Sequence, residues 1–223
     1  MRILLVNDDG VESPALIPTI ESLNSLGEIT VVVPKTQKSW TSKINTRSKT
    51  KIEYEIREID GYTMHVLDAY PSDCANFGIH EIVNKPDLVI SGANLGHNVG
   101  THAFFSSGTI GGAIDGVIAG IPSIAISVAY KKGQEMVSDG FRPPLTQFTE
   151  IVRFFYESRP SDYMMLSVNM PMYVNNSKVV AAELHNFSFG SLFKLEDGFV
   201  IPRHYYDLNN PFSDLEGYDT WAR

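Results

Sequence analysis

Apolar runs and a helical pattern alternate at the start of the chain. Ile3 to Val6 form a continuous apolar run typical of a buried strand, residues 14–26 place apolar side chains at helical spacing, and residues 29–33 form a second apolar run. This order predicts a strand, a helix and a second strand that pairs in parallel with the first. The connection between the two strands should be a right-handed crossover.

A different pattern follows, in which charged and apolar side chains alternate over residues 43–66. The dipeptide Asp60-Gly61 inside it predicts a hairpin turn between two antiparallel strands at the edge of the sheet. Further along, helical patterns near residues 72–83, 108–119 and 145–156 separate apolar runs that begin near residues 87, 123 and 163. This succession favours an α/β fold, namely a three-layer αβα Rossmann-like fold with a mostly parallel sheet.

The pattern changes again after residue 171. From about residue 178 to 206, aromatic and polar residues alternate around the turn sequence "EDG", which predicts a projecting C-terminal β-hairpin arm. Aromatic side chains on such an arm would be exposed unless a partner subunit buried them. These side chains are Phe187, Phe189, Phe193 and Phe199. We therefore predict a core over residues 1–172 and an oligomerisation extension over residues 173–223.

The composition is typical of a globular protein: of 223 residues, 43% are hydrophobic and 20% charged, and no apolar run is long enough to cross a membrane. The net charge of −8 disfavours binding to nucleic acid polymers and anionic membranes, so a phosphate ligand needs local attraction. Asp8 and Asp9 interrupt the first apolar run too early for a signal peptide, and the single cysteine, Cys74, has no internal disulfide partner. We therefore expect a cytoplasmic protein.

Oxygen-bearing side chains follow several of the predicted strands. Asp8 and Asp9 come directly after the first strand, Ser39 lies past the second, and Asn94 lies past the strand that begins near residue 87. Parallel strands end at one edge of a sheet, where α/β proteins bind ligands. A hard divalent cation such as Mg²⁺ or Mn²⁺ would relieve the repulsion between the two carboxylates. The other interpretation is a polar turn in which an aspartate caps the following helix.

A glycine-rich segment, residues 91–116, is predicted to be a long loop that leads into a helix, and it contains a second candidate site. Its sequence is "SGANLGHNVGTHAFFSSGTIGGAIDG". The predicted helix at its end opens with Ser107, Gly108 and Thr109, where backbone N–H groups, hydroxyls and the positive end of the helix dipole suit a phosphate. An ordinary helix cap explains the same residues. The chain has neither a GxGxxG fingerprint after the first strand nor a GK[ST] motif, which disfavours NAD binding and P-loop chemistry.

Seven stretches of the chain occur in the order found in one known family. They are "ILLVNDDG", "KSWTS", "PSDC", "SGANLGHN", "SSGTIGGAIDG", "GIPSIAIS" and "LSVNMP". In these motifs the chain, from its first residue to about Pro171, resembles the stationary-phase survival protein E family, the SurE-type 5′/3′-nucleotidases. The resemblance implies a metal-dependent phosphatase on a Rossmann-like fold that acts on nucleoside monophosphates and, in some members, on short polyphosphate. It also implies dimers or tetramers that form through C-terminal extensions.

The resemblance assigns roles to individual residues as well. One divalent ion, Mg²⁺ or Mn²⁺, would be held by Asp8, Asp9, Ser39 and Asn94, and the phosphate by Asn98, Ser107, Gly108 and Thr109. Asp8 and Asp9 would be the catalytic residues. Asp8 is the better candidate to orient or deprotonate the attacking water, because a metal ion uses only part of a carboxylate's oxygen capacity. Direct attack of the Asp8 carboxylate on phosphorus stays open as the alternative.

We therefore predict an enzyme that hydrolyses nucleoside 5′-monophosphates and 3′-monophosphates to nucleoside and phosphate, and that forms a homodimer or homotetramer. Two alternatives stay open from the sequence: a broad acid phosphatase or exopolyphosphatase that uses the same site, and a nucleotide-binding regulatory protein without catalysis. His97 and His102 are candidate donors of a proton to the leaving alkoxide, or else loop histidines that face solvent.

Overall fold

The structure, a computed structural model, describes residues 1–47, 51–129, 142–158, 164–172, 178–188 and 190–202. In chain order the strands are β1 Arg2–Val6, β2 Glu28–Pro34, β3 Tyr54–Ile59, β4 Tyr62–Leu67, β5 Leu88–Leu95, β6 Ser123–Ala129, β7 Met165–Pro171, β8 Phe193–Glu196 and β9 Phe199–Pro202. The α-helices are α1 Leu16–Leu23, α2 Pro71–Phe77, α3 Gly100–Ser106, α4 Gly108–Ile118 and α5 Arg142–Ser158. A π-helical turn, Gly78–Ile82, extends α2.

Seven strands form one sheet in the order β3-β4-β2-β1-β5-β6-β7, and every neighbouring pair is parallel except β3 and β4. The chain first builds outward from β1 to β2 and β4, and then returns to the other side of β1 to place β5, β6 and β7. The carboxyl ends of β1 and β5 therefore flank the crevice at which such sheets bind ligands. The predicted α/β fold with a mostly parallel sheet is confirmed.

The side chains of β1 show why the fold has three layers. Ile3 and Leu5 pack in the core cluster formed with α1 and α5, whereas Leu4 and Val6 pack in the cluster formed with α2. Successive residues of a strand point to opposite faces, so one continuous apolar run serves both layers. All four side chains are fully buried, as expected for a central strand covered on both faces.

Both predicted hairpin turns are present. Asp60 and Gly61 join β3 to β4, and Asp197 and Gly198 join β8 to β9. All four residues have positive φ, from 50° to 82°. Two-residue hairpin turns of this kind require positive φ at both positions, which Asp-Gly adopts readily. The C-terminal β-hairpin is therefore confirmed, and it forms a two-stranded sheet of its own.

The stretch between β5 and α4 was expected to be one long loop, and this expectation is wrong. β5 continues as far as Leu95 through a bulge between Ser91 and Asn94. The bulge needs a glycine at residue 92, because a Cβ there would lie 2.3 Å from the carbonyl oxygen of Ile126. Asn94 is thus part of an extended strand instead of a residue beyond its end.

The second half of the same stretch forms α3. The N–H groups of Thr101 and His102, in its first turn, donate to the carbonyl oxygens of His185 and Phe187 at 2.9 and 3.1 Å. The first N–H groups of a helix have no partner inside the helix, so these distant carbonyls complete the turn. A local pattern cannot contain this information, because the partners lie more than 80 residues further along the chain.

The C-terminal aromatic side chains differ in exposure. Phe193 and Phe199 are exposed on the hairpin, but Phe187 is half-buried and its Cβ lies against Gly100. The expectation of exposure is therefore wrong for Phe187, and Phe189 lies outside the described residues. The predicted boundary after residue 172 stays a prediction. Among the described residues, no helix is both long enough and apolar enough to span a membrane.

The packing of α5 generates a stability prediction. Phe148 is fully buried in the core, whereas Phe154 on the same helix is 72% exposed. We expect Phe148→Ala to lower the free energy of unfolding by about 3–5 kcal/mol, because burial is lost and a cavity is left. Phe154→Ala, the matched control, should change it by less than about 0.5 kcal/mol. Urea unfolding followed by circular dichroism measures both, and equal losses would contradict the packing.

Candidate active site

The acidic pair lies in a tight turn after β1. Asn7 closes this turn: its Nδ2 donates to the Gly10 carbonyl oxygen at 2.9 Å, and its Oδ1 accepts from the Gly10 N–H at 3.2 Å. Gly10 has a φ of +83°, and a Cβ there would lie 2.9 Å from the carbonyl carbon of Thr36. The turn therefore requires glycine, and it holds Asp8 and Asp9 at the carboxyl end of β1.

Asp8 is buried against the start of α4. Only 2% of Asp8 is exposed, and its Oδ1 accepts a hydrogen bond from the Thr109 hydroxyl at 2.7 Å. Gly108 permits this contact, because a Cβ on it would lie 2.9 Å from the Asp8 Cβ and 3.0 Å from the Asp8 Oδ2. The backbone carbonyl of Asp8 also accepts from the Lys38 N–H at 2.7 Å. The end of β1, the start of α4 and the segment after β2 therefore meet at Asp8.

Asp9 points toward β5 and the segment after β2. It is 9% exposed, and its Oδ2 accepts from the Leu95 N–H at 2.9 Å. The side-chain Nε2 of Gln37 lies 3.4 Å from Asp9 Oδ1 and also donates to Ser39 Oγ at 3.2 Å. Gln37 therefore draws the Ser39 hydroxyl toward the acidic pair.

Burial makes both carboxylates difficult to ionise on their own. Loss of water raises the pKa of Asp8 from 3.8 to about 6, although hydrogen bonds from Thr109 partly offset the effect. The pKa of Asp9 is raised well above 3.8, first by burial and then by the negative charge of Asp8. A cation next to the pair would stabilise the ionised form of both groups.

The side chains around the pair fit a hard divalent cation. Asn94 is largely buried, and its Nδ2 donates to the Gly96 carbonyl at 3.3 Å, so the side-chain Oδ1 is the atom suited to a cation. With Asp8, Asp9 and Ser39 the set offers carboxylate, amide and hydroxyl oxygens, which Mg²⁺ and Mn²⁺ prefer. Within the described residues, His, Cys, Asp and Glu side chains form no metal-binding group of three or more. The donor set is therefore one of mixed oxygens.

The start of α4 contacts the Asp8 carboxylate and is also suited to bind an anion. Ser107 caps the helix, because its Oγ accepts from the Ile110 N–H at 3.2 Å. The hydroxyl of Thr109 is engaged with Asp8. An anion at this helix end would meet the positive end of the helix dipole, with Thr109 acting through Asp8.

Asn98 is fastened to the ends of two strands. Its backbone N–H donates to Asn169 Oδ1 of β7 at 2.7 Å, and its Nδ2 donates to Ser127 Oγ of β6 at 2.7 Å. Asn98 therefore faces the same edge of the sheet as the acidic pair. The sequence assigned no role to Ser127 or Gln37, each of which holds a predicted site residue, whereas Asn169 lies in a polar stretch that was expected to offer oxygen ligands at the end of a later strand. The available signal was a polar side chain near the carboxyl end of a strand.

Residues 35–47, which we call the site loop, lie on α4. The Ser42 carbonyl oxygen lies 2.2 Å from where a Cβ on Gly111 would be, so only glycine permits the approach. Lys43 Nζ pairs with Asp115 Oδ2 at 2.9 Å, and the Asp115 side chain is buried. Close packing and a shielded ion pair therefore hold the loop that carries Ser39 against the helix.

The two candidate histidines are half-buried, so the interpretation as solvent-facing loop residues does not describe them. Burial lowers the pKa of His97. His102 lies in α3, and its ring meets the ring of Trp40 edge to face, with centroids 6.0 Å apart and planes at 73°.

Comparison with known proteins identifies a family to which the chain is similar. The family model described as Survival protein SurE matches residues 3–191 of the chain. A protein of Thermofilum pendens named 5′-nucleotidase SurE is 34% identical over 225 aligned residues, which cover 100% of this chain and 85% of that protein. A protein of Geobacter metallireducens with the same name is 31% identical over 229 aligned residues, covering 100% and 86%.

A solved structure agrees with the fold. The crystal structure of SurE protein from Aquifex aeolicus superposes with a TM-score of 0.66 at 34% sequence identity. The superposition covers 78% of this chain and 67% of that chain.

The two buried like charges generate a prediction. We expect Asp9→Asn to raise the free energy of unfolding at pH 7 in EDTA by on the order of 1 kcal/mol, because it removes one buried charge and keeps an acceptor for the Leu95 N–H. Urea unfolding measures the change. Asp197→Asn, in the exposed turn of the C-terminal hairpin, is the matched control and should have no effect. Loss of stability in Asp9→Asn would contradict the electrostatic account.

Proposed function

The chain belongs to the SurE family, and from this membership we propose that it hydrolyses nucleoside 5′-monophosphates to nucleoside and phosphate with the help of one divalent cation. One observation carries the proposal: the buried acidic pair is joined to the start of a helix by the 2.7 Å bond between Thr109 and Asp8. A cation site and an anion site are thereby adjacent. Phosphoryl transfer needs this arrangement, because the substrate and the metal ion carry opposite charges.

The charges of the site loop support the cation. Lys38 Nζ lies 3.6 Å from Asp68 and 5.8 Å from the centroid of the Tyr70 ring, and Lys43 pairs with Asp115. Lys35, the third lysine of the site loop, pairs with Glu53 at 2.9 Å, so all three lysines are engaged with other carboxylates. A phosphate that approached Asp8 and Asp9 would be repelled unless a bound cation supplied the positive charge.

Each residue of the site has a proposed part in the reaction. When bound, the cation would supply positive charge to the phosphoryl oxygens and acidify water at the site. Asp8 would orient or deprotonate the attacking water through Oδ2, because Thr109 already donates to Oδ1. The start of α4 and the Asn98 side chain would hold the phosphoryl oxygens where negative charge develops. As the water oxygen bonds to phosphorus, the ester bond between phosphorus and the nucleoside oxygen breaks, and that oxygen takes up the proton that the water has lost.

The substrate class follows from the relatives. The proteins from Thermofilum pendens and Geobacter metallireducens are named 5′-nucleotidases, which supports a nucleoside 5′-monophosphate here. We extend the proposal to 3′-monophosphates, because the same residues would hold the phosphate of both esters. A broad phosphatase or exopolyphosphatase would bind the phosphate with the same residues. A regulatory nucleotide binder, by contrast, would not need two buried carboxylates beside the phosphate.

Metal removal is the first test of the proposed function. We expect release of inorganic phosphate from nucleoside 5′-monophosphates with Mg²⁺ or Mn²⁺ present, and none in excess EDTA, because the buried carboxylates repel the substrate without a cation. A panel that includes 3′-monophosphates, p-nitrophenyl phosphate and tripolyphosphate separates the alternatives by their relative kcat/KM. If no phosphate ester shows metal-dependent release, the proposed function is wrong.

Two matched variants locate the activity in the site. Asp8→Asn should lower kcat by about 10²–10⁴-fold with metal saturating, because it removes the group proposed to act on water. Asp197→Asn should keep full activity. An Asp8→Asn protein that retained most of its kcat would remove Asp8 from this role and leave the metal dependence to be explained by Asp9 and Asn94.

We also propose that the chain forms a homodimer or homotetramer through its C-terminal hairpin. Large apolar side chains are exposed on both of its strands, and they include Phe193, Leu195, Phe199 and Val200. An isolated two-stranded hairpin is marginal in water, and exposed apolar side chains favour association. A second copy of the chain would bury these side chains.

Charge on the hairpin should disrupt such an assembly. We expect Leu195→Lys combined with Phe199→Lys to convert a dimer or tetramer into a monomer, because the lysines would have to be buried in the interface. Light scattering coupled to size-exclusion chromatography measures the mass. Phe154→Lys, an equally exposed position on α5, is the control and should leave the mass unchanged. A parent protein that is monomeric at micromolar concentration would refute the proposal.

A further inference from the structure

We propose that the rings of Trp40 and His102 form a stacking platform for the base of the nucleotide substrate. This inference rests on the proposed function, and it names residues that determine specificity. It makes the site selective for nucleotides over phosphate esters that lack a base.

Trp40 lies at the mouth of the crevice. It directly follows Ser39, whose hydroxyl is linked through Gln37 to Asp9. On one side of Trp40, the Lys38 carbonyl oxygen lies 2.9 Å from where a Cβ on Gly108 would be. The segment that carries the ring is therefore bound to the acidic pair and to the first residue of α4.

The other side of Trp40 is fixed as well. The N–H of Ser42 donates to the carbonyl oxygen of Ser106 at 2.9 Å, at the end of α3 and immediately before α4. Trp40 is thus placed between two backbone contacts, both at the helix end where we propose that the phosphate binds. A nucleotide held there by its phosphate has its base within the reach of the neighbouring loop.

The backbone conformation of Trp40 is intrinsically unfavourable. Its φ of +61° falls in the left-handed region, which bulky residues rarely occupy. The residue is nonetheless 49% exposed, so about half of its surface gains nothing from burial. Strained residues that the surrounding structure holds in place cluster at ligand sites. A large, exposed ring kept in such a conformation beside a candidate phosphate site is explained if it contacts the substrate.

The two rings of the platform meet edge to face. The planes of Trp40 and His102 meet at 73°, with centroids 6.0 Å apart. In an edge-to-face pair each ring keeps a face that is not covered by the other, and a planar base can stack on such a face. Bases stack on aromatic side chains whatever their identity, because every base has a π-face. The platform should therefore select for the presence of a base more than for its type.

Both rings are carried by segments that are held in place. His102 lies in the first turn of α3, where its N–H donates to the Phe187 carbonyl at 3.1 Å. The Thr101 hydroxyl also donates to that carbonyl, at 2.8 Å. On the other side, the Lys43–Asp115 ion pair fixes the site loop to α4. A platform with little freedom to lose binds a base at a small entropic cost.

Kinetics on two substrates separate the platform from the phosphate site. We expect Trp40→Gly, which suits a positive φ, to lower kcat/KM for AMP by about tenfold or more and to leave kcat/KM for ribose 5-phosphate unchanged. Trp40→Phe, which keeps an aromatic ring, should retain most of the parent kcat/KM for AMP. Phe154→Ala, which removes an exposed ring from α5, should change neither. Equal losses on both substrates, or no loss on AMP, would overturn the platform.

A binding measurement tests the platform independently of catalysis. The chain has two tryptophans, so Trp221→Phe leaves Trp40 as the only one. In the presence of EDTA, we expect adenosine, which has no phosphate, to quench the fluorescence of Trp40 in a saturable manner. Ribose should have no effect. Absence of quenching overturns the platform even if the enzyme releases phosphate from AMP. Saturable quenching with no phosphatase activity on any ester supports the platform while the proposed function fails.

Discussion

Two carboxylates buried side by side at the end of β1 constrain the structure around them. Asp8 and Asp9 are almost completely removed from water. Burial raises the pKa of both groups, and the negative charge of Asp8 raises the pKa of Asp9 further. Three elements at the crevice each give one of them a hydrogen-bond donor: α4 through Thr109, β5 through the Leu95 N–H and the site loop through Gln37. The fold thus tolerates an electrostatic cost at one place, which is typical of a site completed by a ligand.

Close approach of backbone segments makes this arrangement possible. Gly108 and Gly111 leave the first turns of α4 without side chains, so Asp8 and the site loop can lie directly on the helix. The ion pair between Lys43 and Asp115 contributes little net stability, because burying charges is costly. It does fix the position of the loop on α4. The position of Ser39 relative to Asp8 and Asp9 therefore depends on helix–loop packing as much as on the loop's own sequence.

The C-terminal region contributes to two parts of the molecule. Its hairpin, β8 and β9, exposes apolar side chains, while residues 185–187 donate and accept hydrogen bonds at the start of α3. Because α3 carries His102 and ends next to Ser107, the segment that leads into the hairpin also supports one wall of the crevice. The proposed assembly surface and the proposed substrate site are therefore connected through the backbone of the same segment.

The sequence by itself determined the order of strands and helices apart from α3, the parallel sheet, both Asp-Gly turns and the presence of an acidic pair at the end of the first strand. These features follow from local rules: periodicity, apolar runs, and the φ preferences of glycine. Only the tertiary structure decided that Thr109 holds Asp8 across 101 residues, that β5 extends to Asn94 through a bulge, and that α3 forms where a loop was expected. Each of these depends on a partner far away in the chain, a carboxylate, a neighbouring strand or the carbonyls of His185 and Phe187, which no local pattern specifies.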